Sequence, residues 1–192
     1  MLIYAMASYV IAKYDFKFKN LVYAIFVLTL LVPTHARAGP VMMVTRDLGL
    51  FDTRMALILF YIATGMAISL FVMRASFMSI PKEFSEAAWI EGSGFLRTFF
   101  VVNLPLAKTG LATTGTLMFI HNWNEYFFAA LLTGNPANRT IPYAMRFFMG
   151  MFRDDLPAMF ASLTLVILPG IILYVIFQEQ VARSLVSSGV KG

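Results

Sequence analysis

The sequence has no cysteine, only two histidines, and charged residues at just 13% of its 192 positions. Each scarcity excludes something. Without cysteine there is no disulfide framework of the kind that holds small secreted domains together. His35 and His121 stand alone and no H-E-x-x-H occurs, so a zinc protease has no ligands to build on. There is no G-x4-G-K-[S/T] loop, so nothing here cradles the phosphates of a nucleotide. Fifteen basic and ten acidic residues would cover a soluble fold of this size thinly. What is present instead is apolar: 59% by the AVILMFWYC count, with a mean hydropathy of +0.75. Ordinary soluble domains run at about 45–50% apolar and about 25% charged. Disorder is excluded by the same figures. The net charge of +5 is scattered between apolar runs rather than gathered in a stripe, which fits a membrane orientation signal and not nucleic-acid binding. A helical membrane protein is the class left, and the length admits roughly four to six spans of about 20 residues each.

The first apolar run, Leu2 to Ala12, is closed by Lys13, Asp15, Lys17 and Lys19. At 1.5 Å per residue it covers about 16 Å, roughly half a bilayer core. It lacks the basic start of a signal peptide and reads as the inner half of a span. Leu21 to Val32 continues to Pro33, turns polar at Thr34, His35 and Arg37, and is broken again by Gly39-Pro40. This predicts one span with a proline hinge near its far end, then a short interfacial helix to Leu50. Met55 to Met73 is an unbroken third run. A fourth span is expected from about Leu106 to Leu132 and a fifth from Ala158 to Phe177, with the polar stretch Thr133 to Leu156 between them. Placing the Lys13–Lys19 loop, the 74–108 connection and the C-terminus on one side collects all six lysines there. By the positive-inside rule that side is cytoplasmic.

The 74–108 connection is the most informative segment. Pro81 is placed to open a helix, and Glu83 and Glu86 follow near its positive end. Phe84, Ala87 and Ala88 share one helical face, Gly92 suits a left-handed helix end, and Ser93 or Gly94 can start the next helix. Phe95, Leu96, Phe99 and Phe100 make a second stripe, and Pro105 opens the following span. Two short helices joined at a glycine serve equally as an interfacial element lying on lipid or as a docking element for a soluble partner. The small Ala87-Ala88 face favours close approach of another backbone.

Glu86-Ala87-Ala88, three residues, Gly92, nine residues, Val102-Asn103-Leu104-Pro105 resembles the E-A-A-x3-G-x9-I-x-L-P signature of bacterial ABC importer permeases. Valine replaces isoleucine, and Glu91 stands where the sugar branch usually has aspartate. The resemblance extends over nearly the whole chain and points to the carbohydrate branch, the permeases similar to the G subunit of the maltose importer. Pro33 and Pro40, Leu48-Gly49-Leu50, Ile80-Pro81, Trp123-Asn124-Glu125, Thr140-Ile141-Pro142, and Gln178 with the ending Gly189-Val190-Lys191-Gly192 each match a motif of that branch. Ser184 and Ser188 depart from its tail glycines.

The resemblance implies an all-α integral membrane protein: one type I ABC importer transmembrane domain over 1–192, with about five of six spans present and a coupling loop at 74–108. The family's first span and the outer half of its second are expected to lie ahead of Leu2. The resemblance implies four kinds of partner: a second homologous permease, an ABC ATPase dimer, an extracytoplasmic solute-binding protein and membrane lipid. ATP and Mg would be bound by the ATPase and no cofactor by this chain. Glu86, Ala87, Ala88, Gly92, Leu104 and Pro105 would couple it to the ATPase, and the location would be a bacterial inner membrane with the loop and C-terminus cytoplasmic. The solute is not readable from these motifs.

Trp123, Asn124 and Glu125 have two readings. They form a polar span end with Trp123 and Tyr126 as interface anchors, or they face the translocation path or the partner permease. A relay role for Glu125 is a narrower form of the second. An enzyme is weakly supported: Ser79-Ile80-Pro81-Lys82 matches S-x-x-K but has no S-D-N or K-T-G companion. The other class that fits is a membrane scaffold that docks a soluble partner without transporting; the break at Pro33 and Gly39-Pro40 favours the transporter.

Overall fold

The computed structural model describes the backbone of residues 1–151 and 155–189, and the side chains of 1–147, 150 and 155–179. Arg153 and Asp154 of the polar stretch and Val190, Lys191 and Gly192 of the tail motif lie outside the described residues, as do the side chains of Arg183, Ser184 and Ser188. Among the described residues there are helices and turns and no strand. The helices are α1 (Leu2–Lys13), α2 (Lys19–Leu28), α3 (Ala38–Asp47), α4 (Arg54–Ser79), α5 (Glu83–Ile90), α6 (Phe95–Leu106), α7 (Lys108–Trp123), α8 (Phe127–Leu132), α9 (Ile141–Met151) and α10 (Leu156–Gly189).

Among the described residues two helices are long and apolar enough to cross a membrane: α4, with 26 residues, and the Leu156–Glu179 part of α10. At 1.5 Å per residue α4 reaches about 39 Å, beyond the roughly 30 Å hydrocarbon core. The expected second span is interrupted at Pro33, which separates the helical stretches Lys19–Leu31 and Thr34–Asp47. Gly39-Pro40 does not break the chain again as expected. It lies in the first turn of α3, where a proline costs no intrahelical bond because those N–H groups have no partner anyway. The expected continuous fourth span is divided, α7 ending at Trp123 and α8 starting at Phe127.

The chain forms two compact units. One comprises Met1–Leu31, Gly65–Met118 and Ile176–Gly192. Its centre is aromatic: the Tyr9 ring lies 5.0 Å from Phe99, 5.5 Å from Phe77 and 5.7 Å from Phe95, and Tyr9, Phe77 and Phe99 are buried. α4 and α7 approach closely at Gly110, where a Cβ would collide with the Ser76 side chain. In lipid such small-residue contacts are how helices gain dispersion energy. The other unit comprises Val32–Thr64 and Phe119–Val175. It packs Leu57, Phe60, Phe128, Ala129 and Leu132 together, with Phe60 and Phe128 stacked 4.0 Å apart.

Candidate functional site

The Glu86 segment lies in the first unit. α5 begins where the Lys82 carbonyl accepts from the Ser85 and Glu86 N–H groups at 2.9 and 3.1 Å. Pro81 stands just ahead of that cap rather than in the first turn, since the helical residues begin at Glu83. Glu83 and Glu86 occupy the first turn, where the helix dipole favours negative charge. The end is a Schellman motif: Ser93 N–H donates to the Ala88 carbonyl and Gly92 N–H to Trp89, both at 2.9 Å, with Gly92 at φ +80°. Open space surrounds the Gly92 Cα, so the backbone conformation alone demands glycine there. Gly94 caps α6, accepting from Thr98 N–H at 2.9 Å.

α5 turns almost everything outward. Ser85 is its buried residue and Ala88 is half-buried, whereas Phe84, Glu86, Ala87, Trp89 and Ile90 are exposed, Ile90 at 87%. Among the described residues no hydrogen bond or ion pair reaches the Glu86 carboxylate. The expected Phe84–Ala87–Ala88 face therefore mostly points away from the unit that carries it.

α6 changes register within itself: Phe95–Arg97 is α-helical, Thr98–Asn103 π-helical and Leu104–Leu106 α-helical again. Pro105 supplies a reason. It has no N–H to donate, and in a regular α-helix its ring would press on the carbonyl four residues back; a wider π turn just before it relieves that crowding. Leu104 is half-buried and Pro105 exposed. Asn103 between Val102 and Leu104 is fully buried at 0% exposure. Its Nδ2 lies 3.0 Å from Ser85 Oγ, 3.3 Å from the Thr98 carbonyl and 3.4 Å from the Tyr9 hydroxyl. Sequence reasoning passed over Asn103 as a free position of the signature. The available signal was a lone amide in the otherwise apolar run Phe99–Leu106, since a buried amide needs partners.

Trp123, Asn124 and Glu125 lie in the second unit, at the break between α7 and α8. Asn124 and Glu125 bond at the break itself, while Trp123 reaches α10. The Trp123 indole N–H donates to the Val166 carbonyl of α10 at 3.0 Å. Asn124 Nδ2 donates to the Ile120 carbonyl at 2.8 Å, closing the end of α7. Glu125 takes the start of α8: Oε1 accepts from Phe128 N–H at 2.7 Å, and Oε2 from Ala129 N–H and the Tyr61 hydroxyl, both at 3.0 Å. Both carboxylate oxygens are thus engaged inside the fold. His121 is exposed, and His35 packs edge-on against Phe127.

A loop clamp in the same unit was not foreseen. Asp52 Oδ1 accepts from Gly134 and Asn135 N–H at 2.8 and 2.9 Å, and the Asn138 amide donates to the Asp52 carbonyl. The Asn135 and Gly134 amides hold the Asp52 carboxyl below its usual range. Among the described residues no group of three or more His, Asp or Glu could hold a metal ion.

Residues 4–187 match the family described as binding-protein-dependent transport system inner membrane component. The sulfoquinovosyl glycerol transport system permease of Agrobacterium fabrum is 32% identical over 100% of this chain and 67% of its own length. The trehalose/maltose transport system permease of Thermococcus litoralis is 31% identical over 98% of this chain and 68% of its own. A crystal structure of a bacterial ABC transporter involved in importing the acidic polysaccharide alginate matches 93% of this chain and 67% of that one. It has a TM-score of 0.74 and 25% identity.

Proposed function

This chain belongs to the binding-protein-dependent transport system inner membrane component family, and from that membership we propose that it is the permease subunit of an ATP-driven sugar importer. The cargo class, a sugar or sugar-like solute, follows the relatives named for sulfoquinovosyl glycerol and for trehalose and maltose. The chain works with a homologous second permease, a pair of ATPase subunits that bind ATP and Mg, and an extracytoplasmic binding protein. It needs no cofactor of its own. The 74–108 connection and the C-terminus face the cytoplasm, as the lysine distribution suggests.

The observation that carries this reading is the outward face of α5. A short helix exposing Glu86, Trp89 and Ile90, with the Glu86 carboxylate unpartnered among the described residues and Ser85 its buried side chain, suits a partner's cleft far better than its own unit. The ATPase receives α5, with Glu86 as the polar contact, and the Gly92 turn and the Leu104-Pro105 step set how α5 is presented. Closure of the ATPase pair on ATP moves α5, and the membrane-crossing helices alternate between inward-open and outward-open arrangements. Trp123, Asn124 and Glu125 lie at a helix break of the kind tolerated at membrane depth where it lines a cavity or meets a partner subunit.

Reconstitution with the second permease, the ATPase and the binding protein in proteoliposomes tests the proposal, with solute chosen by a ligand screen of the binding protein. ATP-dependent uptake that requires the binding protein is expected. Stable ATPase association with no ATP-dependent uptake of any bound ligand would make the chain a membrane scaffold instead.

A further inference from the structure

Asn103 has no task in the importer reading, yet it is the one side-chain amide of the 74–108 connection and is fully buried. It joins its own helix, α6, to α5 and to α1. Ser85 is the buried residue of α5 and sits immediately before Glu86. The Thr98 carbonyl begins the π-helical stretch that Asn103 ends. Tyr9 is buried at the aromatic centre on α1. One amide thus links the outward-facing helix, the register change behind it and a helix of the main body, at 3.0, 3.3 and 3.4 Å.

The chemistry distinguishes this from ordinary packing. Apolar contacts between helices slide at little cost, but a buried hydrogen bond fixes register, because a displaced partner leaves a desolvated polar group behind. Near this point a further hydrogen bond joins α1 to the connection: the Lys13 ammonium donates to the Ile80 carbonyl just before Pro81. That bond holds the entry to α5, while the bonds of Asn103 hold α5 itself.

We propose that Asn103 is the positioning residue of the coupling segment, clamping α5 through Ser85 to α1 through Tyr9 so that displacement of α5 reaches the helix bundle instead of being absorbed in the connection. This rests on the importer reading above, and it adds a role for a position that the family signature leaves open. Asn103 touches neither ATP nor solute. Its contribution is the ratio of solute moved to ATP hydrolysed.

The test uses the complete importer in proteoliposomes, comparing Asn103→Leu, Ser85→Ala and Tyr9→Phe with wild type. For Asn103→Leu the expected result is unchanged co-purification of the ATPase, with uptake per ATP hydrolysed falling about fivefold or more, the size of effect that loss of a buried hydrogen-bonded contact produces. Ser85→Ala should show most of the same loss, and adding it to Asn103→Leu should change nothing further, because both cut one clamp. Tyr9→Phe should give a smaller loss, about twofold, because it removes one acceptor of Asn103, together with the Tyr9–Tyr14 hydroxyl contact, and leaves the Ser85 bond in place. If Asn103→Leu fails to assemble, Ser85→Ala and Tyr9→Phe carry the test, both being small deletions. Wild-type uptake per ATP in the assembled variants would overturn the proposal, as would multiplying losses in the Ser85/Asn103 double variant. A wild-type complex that binds the ATPase but imports nothing would instead overturn the importer reading, so the two failures are distinguishable.

Discussion

Glu86 and Glu125 are acidic residues of comparable sequence prominence, each inside a recognisable motif and each beside a helix terminus, and the fold treats them oppositely. Glu125 gives both oxygens to the start of α8 and to Tyr61, so its charge is committed to holding a helix break together. Glu86 sits in the first turn of α5, exposed and without a side-chain partner among the described residues. The difference teaches how to read acidic motif residues in a membrane protein. One whose hydrogen-bonding capacity is filled internally is architecture, whatever its neighbours suggest. One left free on a short exposed helix is available to something outside the chain.

The largest effect should come from breaking the committed acid. Glu125→Ala removes acceptors from two backbone N–H groups and the Tyr61 hydroxyl, and charge-assisted bonds of this kind contribute about 1.5–3 kcal/mol each at most. A loss of about 2–4 kcal/mol is expected, read as a lower unfolding temperature of the detergent-solubilised complex. Tyr61→Phe should cost only about 1 kcal/mol because the two backbone bonds remain. A Glu125→Ala protein as stable as wild type would erase the contrast with Glu86.

Two substitutions in the other segment sharpen it. Gly92→Leu forces a γ-branched side chain into φ +80°, a strain of about 1–2 kcal/mol. Since nothing lies within 4 Å of its Cβ, the chain is expected to survive and α5 to be presented at a wrong angle. Transport should be uncoupled while membrane insertion persists. Wild-type uptake by an assembled Gly92→Leu complex would remove the turn from the mechanism. Glu86→Lys should leave stability within about 0.5 kcal/mol, as exposed unpartnered sites do, yet reduce ATPase co-purification several-fold by reversing the contact's charge. Equal recovery of the ATPase with both proteins would mean that the free carboxylate is not the contact.

What could be read from the sequence alone divides along physical lines. Helices, the long α4 run and the glycine turn at Gly92 follow from local composition and backbone preference, and the structure shows them, with α4 continuing past the expected Met73 to Ser79. The interruption of the helix at Pro33 was also legible, because proline acts through its own neighbours. Gly39-Pro40 misled because the same residues open a helix or break one depending on where the first turn falls. The division of the expected fourth span was not legible. Residues Leu106 to Leu132 are apolar enough to continue, and what stops α7 is a set of side-chain bonds from Asn124 and Glu125 that depend on which carbonyls and amides are near. Asn103 stood out only as a lone amide in an apolar run; its partners, Ser85 and Tyr9, are distant along the chain and were not legible.

Asp52 offers the smallest but most discriminating check, because it does the work of Glu125 in a wetter place. Its carboxylate also accepts two backbone N–H groups, from Gly134 and Asn135, but in a loop rather than at a helix break. Those bonds hold its pKa below the usual value. A depressed carboxylate stabilises the fold when ionised, so its contribution is fully present above the unfolded pKa of about 4. It is then lost as pH falls through the lower folded value. Unfolding temperature measured from pH 6 downward should therefore fall in wild type below about pH 4, and that component should be missing in Asp52→Asn, which has no proton to take up. Asp52→Asn should also cost less at neutral pH than Glu125→Ala, because water replaces part of what the loop amides lose. If the two variants were equally damaging, the extent of enclosure would not be what separates them, and the number of backbone amides each carboxylate holds would be the better predictor of which acids the fold depends on.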